Sequence, residues 1–153
     1  PPRSTLFPYT TLFRSNAGAY KEKLRDLDER IFETVRTLRV KTIPYGGHFA
    51  FGYFAKRYGL SHVSPYPGFS PNAEPTPRRI VELAARMKEL GVDVIYHEEL
   101  TEPRIAGAVA GETGAKLLLL HGAHNVSKRE LESGVTFLDI MEQNRKNLAA
   151  GLR

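Results

Sequence analysis

The residues best suited to chemistry in this chain are its five histidines, His48, His62, His97, His121 and His124. With no cysteine in 153 residues, disulfides and thiolate zinc sites are excluded, and any metal must rest on imidazole and carboxylate donors. Such a site needs about three or four donors in tetrahedral arrangement, and neutral imidazole suits zinc and related ions. HGAH sets His121 and His124 three apart after an apolar run, a weak pattern that also fits an ordinary polar turn. His48, between Gly47 and Phe49, reads equally as a ligand and as a turn residue capping the aromatic stretch behind it. His62 lies inside a short strand and reads as a packed or edge residue. His97-Glu98-Glu99 starts like the zinc-protease helix HExxH, but Thr101 stands where the second histidine is required, so that chemistry fails. Glu98 is either a solvated carboxylate or an acceptor for an imidazole N–H. Other chemistries lack their anchors: there is no GxxxxGK[ST] phosphate cradle, no GxGxxG after a strand and no GxSxG elbow. Phe49, Tyr53 and Phe54 read as a packed helical face rather than an RNA-stacking platform.

Histidines on separate loops converge only if the elements bring them to one place. Apolar Leu24, Leu27, Ile31, Val35 and Leu38 recur at three- and four-residue steps, which predicts a long helix capped by Asn16, with Asp26 paired to Arg30. Val40–Pro44 reads as a strand, Gly46-Gly47 as a turn, Phe49–Tyr58 as a short helix closed by Gly59, and Ser61–Val63 as a second strand. Four prolines make Ser64–Pro75 a loop. Thr76-Pro77 opens a helix stopped at Gly91, Val92–Tyr96 is a third strand, and a helix led by Thr101 and Pro103 stops at Gly114. Lys116–Leu120 is an apolar run of the kind buried on both faces. Ser127 and Glu130 form a capping box for one last long helix with Leu131, Val135, Leu138, Met141 and Leu148 inward. Alternating strands and helices predict an α/β fold, a four-stranded parallel sheet with helices on both faces. In such a sheet ligands bind beyond the carboxyl ends of the strands, where His48, His97, His121 and His124 all stand.

A composition of 41% hydrophobic and 25% charged residues fits one globular domain. No apolar run approaches the roughly 20 residues that cross a bilayer. Residues 1–15, PPRSTLFPYTTLFRS, are the in-frame translation of a short-read sequencing adapter and are expected to be a disordered artefact of assembly. They carry Arg3 and Arg14 and no acidic residue, so without them the net charge falls from +5 to +3. The basic residues do not cluster, and no nucleic-acid partner is expected.

Several segments, in order, carry a resemblance: GGHFAFGYFAKRYGL, SPYPGFSPNAEPTP, VDVIYHEEL, ETGAKLLLL and GVTFLDIMEQNRKNLAAGL. They resemble the zinc/manganese solute-binding proteins of bacterial ABC importers from Asn16 to Arg153, and the AEP-[ST]-P step and the HxAFGY motif are the most specific pieces. The resemblance implies part of the helix joining the two lobes of such a protein, over residues 16–39, and its C-terminal α/β lobe over 40–153.

In that family about four side chains hold the ion between the lobes, two of them histidines of an N-terminal lobe absent here. The third position is matched by His48. The fourth, on the loop after the last strand and often a carboxylate in relatives, aligns with His124, with His121 nearby as a further candidate. Glu98 matches a carboxylate expected to support a ligand rather than bind. An all-nitrogen set favours zinc over manganese. The resemblance therefore implies extracytoplasmic metal capture, by a periplasmic protein or a lipoprotein whose leader is missing here, for delivery to an ABC permease. The protein is expected to be monomeric and not an enzyme. The alternative is a stand-alone α/β zinc metalloenzyme in which His48, His124 and Glu98 hold the ion with water at an open position.

Overall fold

The computed structural model describes residues 7–66 and 74–153. Helix α1 spans Phe7–Thr37, followed by β1 (Thr42–Pro44), α2 (Gly52–Tyr58), β2 (Ser61–Val63) and α3 (Pro77–Leu90). Then come β3 (Val94–His97), α4 (Arg104–Thr113), β4 (Lys116–Leu119), α5 (Lys128–Glu132) and α6 (Phe137–Leu152). The expected loop over Ser64–Pro75 is irregular at 64–66 and 74–75, and its residues 67–73 lie outside those described.

The strands form two parallel pairs. Thr42, Ile43 and Pro44 of β1 face Ser61, His62 and Val63 of β2, while Val94–His97 of β3 face Lys116–Leu119 of β4. A parallel bridge between Tyr45 and Tyr96 joins the pairs, through a hydrogen bond of 2.8 Å from Gly46 N–H to the Tyr96 carbonyl. The order across the sheet is thus β2-β1-β3-β4. Helices cover both faces. Val94 and Tyr96 meet Gly151 of α6, and the Tyr96 hydroxyl donates to the Asn147 carbonyl at 3.0 Å. On the other face α3 and α4 pack together, with Ala106 of α4 against Gly46. The α1 stripe Leu27, Ile31, Val35 and Leu38 is buried as its spacing predicts and joins Leu148 and Leu152 in one core.

Four expectations are corrected. Helix α1 begins at Phe7 rather than Asn16, so part of the segment expected to be disordered is helical. Extending a helix already formed adds one hydrogen bond per residue without a second nucleation cost, and Leu12 and Phe13 stay 55% and 67% exposed. Arg30 pairs with Glu142 of α6 at 3.4 Å instead of Asp26, because α6 packs against α1. Strand β4 is not buried on both faces: Lys116 and Leu117 are exposed, since among the described residues only β3 pairs with it. The last helix is two. Gly134 adopts a left-handed φ of 73°, and a second capping box, Thr136 with Asp139, restarts the chain as α6 behind the expected Ser127–Glu130 box of α5. Leu131, expected inward, is therefore 70% exposed.

Two expectations for stability result. A Cβ at Gly46 would lie 2.5 Å from Ala106 Cβ and 2.9 Å from its backbone nitrogen, so Gly46→Ala should cost about 1–3 kcal/mol in urea unfolding. Gly107→Ala, which meets nothing within 4 Å in the same helix α4, should be neutral or stabilising. Residues 11–20 are exposed throughout, so removing residues 1–15 should leave stability within about 0.5 kcal/mol; a larger loss in thermal unfolding would show that the segment belongs to the fold.

Candidate metal centre

Because all four strands run parallel, their carboxyl ends share one edge of the sheet. His48 follows β1, His97 closes β3, and His121 and His124 follow β4, so these four stand at that edge as expected. His62 sits inside β2 with its ring stacked on Phe49 at 3.8 Å, and burial lowers its pKa.

The edge divides at β3, which lies between β1 and β4. On the β1 side the His48 ring lies 4.0 Å from that of Tyr66. Both line a cleft of about 450 Å³ with His97 and Glu98. Glu98 leans toward this side: its carboxyl group would meet a Cβ at Gly47 at 3.2 Å. Burial first, then the charges of Glu98 and Glu74, raise the pKa of Tyr66. The Ser64 hydroxyl donates to the Gly47 carbonyl at 2.8 Å and fixes the turn leading into His48. His97 Nδ1–H is turned to the Glu98 carbonyl at 2.9 Å.

On the β4 side Glu99, His121 and His124 gather. Glu99 is almost fully buried, and its Oε2 accepts the Gly122 N–H at 2.8 Å. Its Oε1 lies 3.3 Å from His124 Nδ1 and 3.8 Å from His121 Nδ1. The His121 ring is buried, its Nδ1 accepts the Ala123 N–H at 2.9 Å, and its Nε2 faces Glu130 Oε1 at 3.6 Å. Glu130 is in turn held by Ser127, whose hydroxyl and backbone N–H lower its pKa. Asn144 anchors the loop from below: its carbonyl accepts the His121 N–H and its amide donates to the His121 carbonyl, both at 2.8 Å. The His124 ring, by contrast, is 68% exposed.

Backbone strain gathers here too. Leu100 and Ala123 are the non-glycine residues with positive φ among those described, at 60° and 61°. One follows Glu99 and the other separates His121 from His124, the kind of place where strain is retained for a site. Strand spacing puts β1 and β4 about 10 Å apart across β3, and among the described residues no three His, Asp or Glu side chains are grouped to hold a metal. An ion shared by His48 and His124 therefore requires both rings to lean over the end of β3. His121 is poorly suited to join them, with one nitrogen accepting a backbone N–H and the other buried.

Sequence reasoning missed Glu99 and Asn144. Nothing in the spacing separates Glu99 from Glu98. Asn144 did leave a signal, as a polar residue in phase with the buried stripe Ile140, Leu148 and Leu152.

Residues 9–151 match the family described as zinc-uptake complex component A, periplasmic, ZnuA. That match begins inside the segment 1–15. The high-affinity zinc uptake system protein ZnuA of Bacillus subtilis is 39% identical over 132 residues, 86% of this chain and 41% of that protein. The crystal structure of the metal-dependent lipoprotein YcdH from Bacillus subtilis shares 37% identity at a TM-score of 0.77, covering 92% of this chain and 53% of that one. The Zn(II)-bound ZnuA-like domain of Streptococcus pneumoniae AdcA shares 32% identity at a TM-score of 0.75, covering 97% and 55%. The chain thus spans about half, or less, of the length of these relatives.

Asn144 gives this site a direct test. Asn144→Ala leaves the buried His121 N–H and carbonyl without their partners, which should cost about 2–4 kcal/mol and speed hydrogen exchange at His121 and Gly122. Unchanged exchange would show that the loop is held by other means.

Proposed function

The chain belongs to the family of periplasmic zinc-uptake components, and on that premise we propose that it captures a zinc ion outside the cytoplasm for delivery to an ABC permease. The observation that carries this reading is the placement of His48 and His124 on one edge of a parallel sheet, at the ends of β1 and β4. Neutral imidazoles there offer two nitrogen donors, and nitrogen donors favour zinc over manganese. The relatives extend well beyond the region this chain covers, and the remaining donors are assigned to a second lobe of the same protein. Glu98 supports the His48 side. His121, the further candidate, serves to hold the loop rather than the ion.

Capture and release call for no bond to be made or broken in a substrate, so no turnover is expected. The protein works as a monomer or lipid-anchored monomer beside its permease.

Calorimetric titration with zinc tests this. One weak site is expected, because a single lobe supplies two donors and cannot close over the ion to exclude water. His48→Ala should abolish it and His124→Ala should weaken it strongly. Glu98→Gln should lower it less, and His62→Ala should leave it alone. Zinc binding that survives both His48→Ala and His124→Ala would overturn the proposal, and hydrolytic turnover by this chain would favour a metalloenzyme.

A further inference from the structure

We propose that Glu99 is the positioning residue that fixes the tautomer of His124 and leaves His124 Nε2 free for the ion; this rests on His124 being a zinc donor. Glu99 Oε1 is buried and has no hydrogen-bond partner among the described residues, while Oε2 is committed to Gly122 N–H. A buried carboxylate oxygen needs a proton donor nearby. Two imidazole nitrogens approach it, His121 Nδ1 at 3.8 Å and His124 Nδ1 at 3.3 Å. His121 Nδ1 already accepts the Ala123 N–H, so it carries no proton to give. His124 Nδ1 is left as the donor.

A neutral imidazole bears one N–H. If Glu99 holds that proton on Nδ1, the lone pair of Nε2 points away from the carboxylate, on a ring 68% exposed at the rim of the sheet. A carboxylate behind an imidazole N–H also raises the basicity of the coordinating nitrogen, the arrangement that zinc histidines commonly use. Gly122 makes room for the contact: a Cβ there would lie 2.6 Å from His124 Nδ1 and 3.1 Å from Glu99 Oε1. The ring folds back over a backbone that only glycine leaves bare.

Glu99→Gln gives a sharp expectation. Its single carbonyl oxygen stays with the Gly122 N–H, and its NH₂ then faces His124 Nδ1, which must become an acceptor. The ring proton moves to Nε2 and blocks coordination. Gly122→Ala reaches the same end by displacing the ring while keeping both side chains.

The test combines nitrogen-15 NMR of the His124 ring in the zinc-free 153-residue chain with calorimetric titration by zinc alone. The wild-type chain should show the Nδ1–H tautomer and Glu99→Gln the Nε2–H tautomer. Zinc affinity should fall about 10–100-fold in Glu99→Gln and in Gly122→Ala, and Glu99→Gln should add nothing in a His124→Ala background. An Nε2–H tautomer in the wild-type chain overturns the proposal without any variant. So does a Glu99→Gln loss of equal size with and without His124, which would mark Glu99 as a general support of the loop. If His124→Ala weakens zinc binding and Glu99→Gln does not, the role of Glu99 fails and His124 stands as a donor. If His124→Ala has no effect, it is the donor assignment that fails.

Discussion

The hydrogen bond from Gly46 N–H to the Tyr96 carbonyl is the join on which the arrangement depends. Among the described residues it is the one bridge between the β1–β2 pair and the β3–β4 pair, and it lies at the carboxyl edge, next to the residues of the candidate centre. Tyr45 and Tyr96 are both fully buried on either side of it, and Gly46 is pressed against Ala106. That close approach, with the packing of β1 on β3 and α3 and of α1 on α6, sets the loop carrying His48 relative to the loop carrying His124. The position of one candidate donor relative to the other is thus in part a packing property of a glycine and two tyrosines that are not themselves candidate donors.

From this join the edge distributes two carboxylates to two sides. Glu98 turns toward Gly47 and the His48–Tyr66 pair, and Glu99 turns toward Gly122, His121 and His124. One strand end between two loops therefore supplies a support to each. The His121 loop is over-determined for a surface turn: Asn144 binds its backbone from α6, Glu99 takes its next N–H, and Glu130 stands behind the ring. Such redundancy is what allows Ala123 to remain in a left-handed conformation. The cap of α5 contributes as well, since the carboxylate that closes the capping box is the one facing His121 Nε2.

Much of this was legible in the residues. The apolar period of α1, the Thr76-Pro77 start of α3, the glycines that end α2, α3 and α4, and the Ser127 capping box each map onto the structure because they are local signals. Burial of β4 and the continuity of the last helix were not legible, for they depend on long-range matters. An apolar run cannot tell whether a neighbouring strand exists, and the Thr136–Asp139 box competes with a helical period that runs across it. At the centre, strand alternation located His48 and His124 at one edge, but choosing between Glu98 and Glu99 required knowing which way each turns at the strand end. Asn144 could have been found, because a lone amide in an apolar stripe has to satisfy something buried.

The central claim is that His48 and His124, on loops two strands apart, share one zinc ion. Histidine-ring NMR during a zinc titration tests it most directly. The account predicts that the His48 and His124 rings respond together, saturating at one ion per chain, while the His62 and His121 rings keep their positions. Responses of His48 and His124 at different zinc concentrations, or saturation of the two by separate ions, would contradict it.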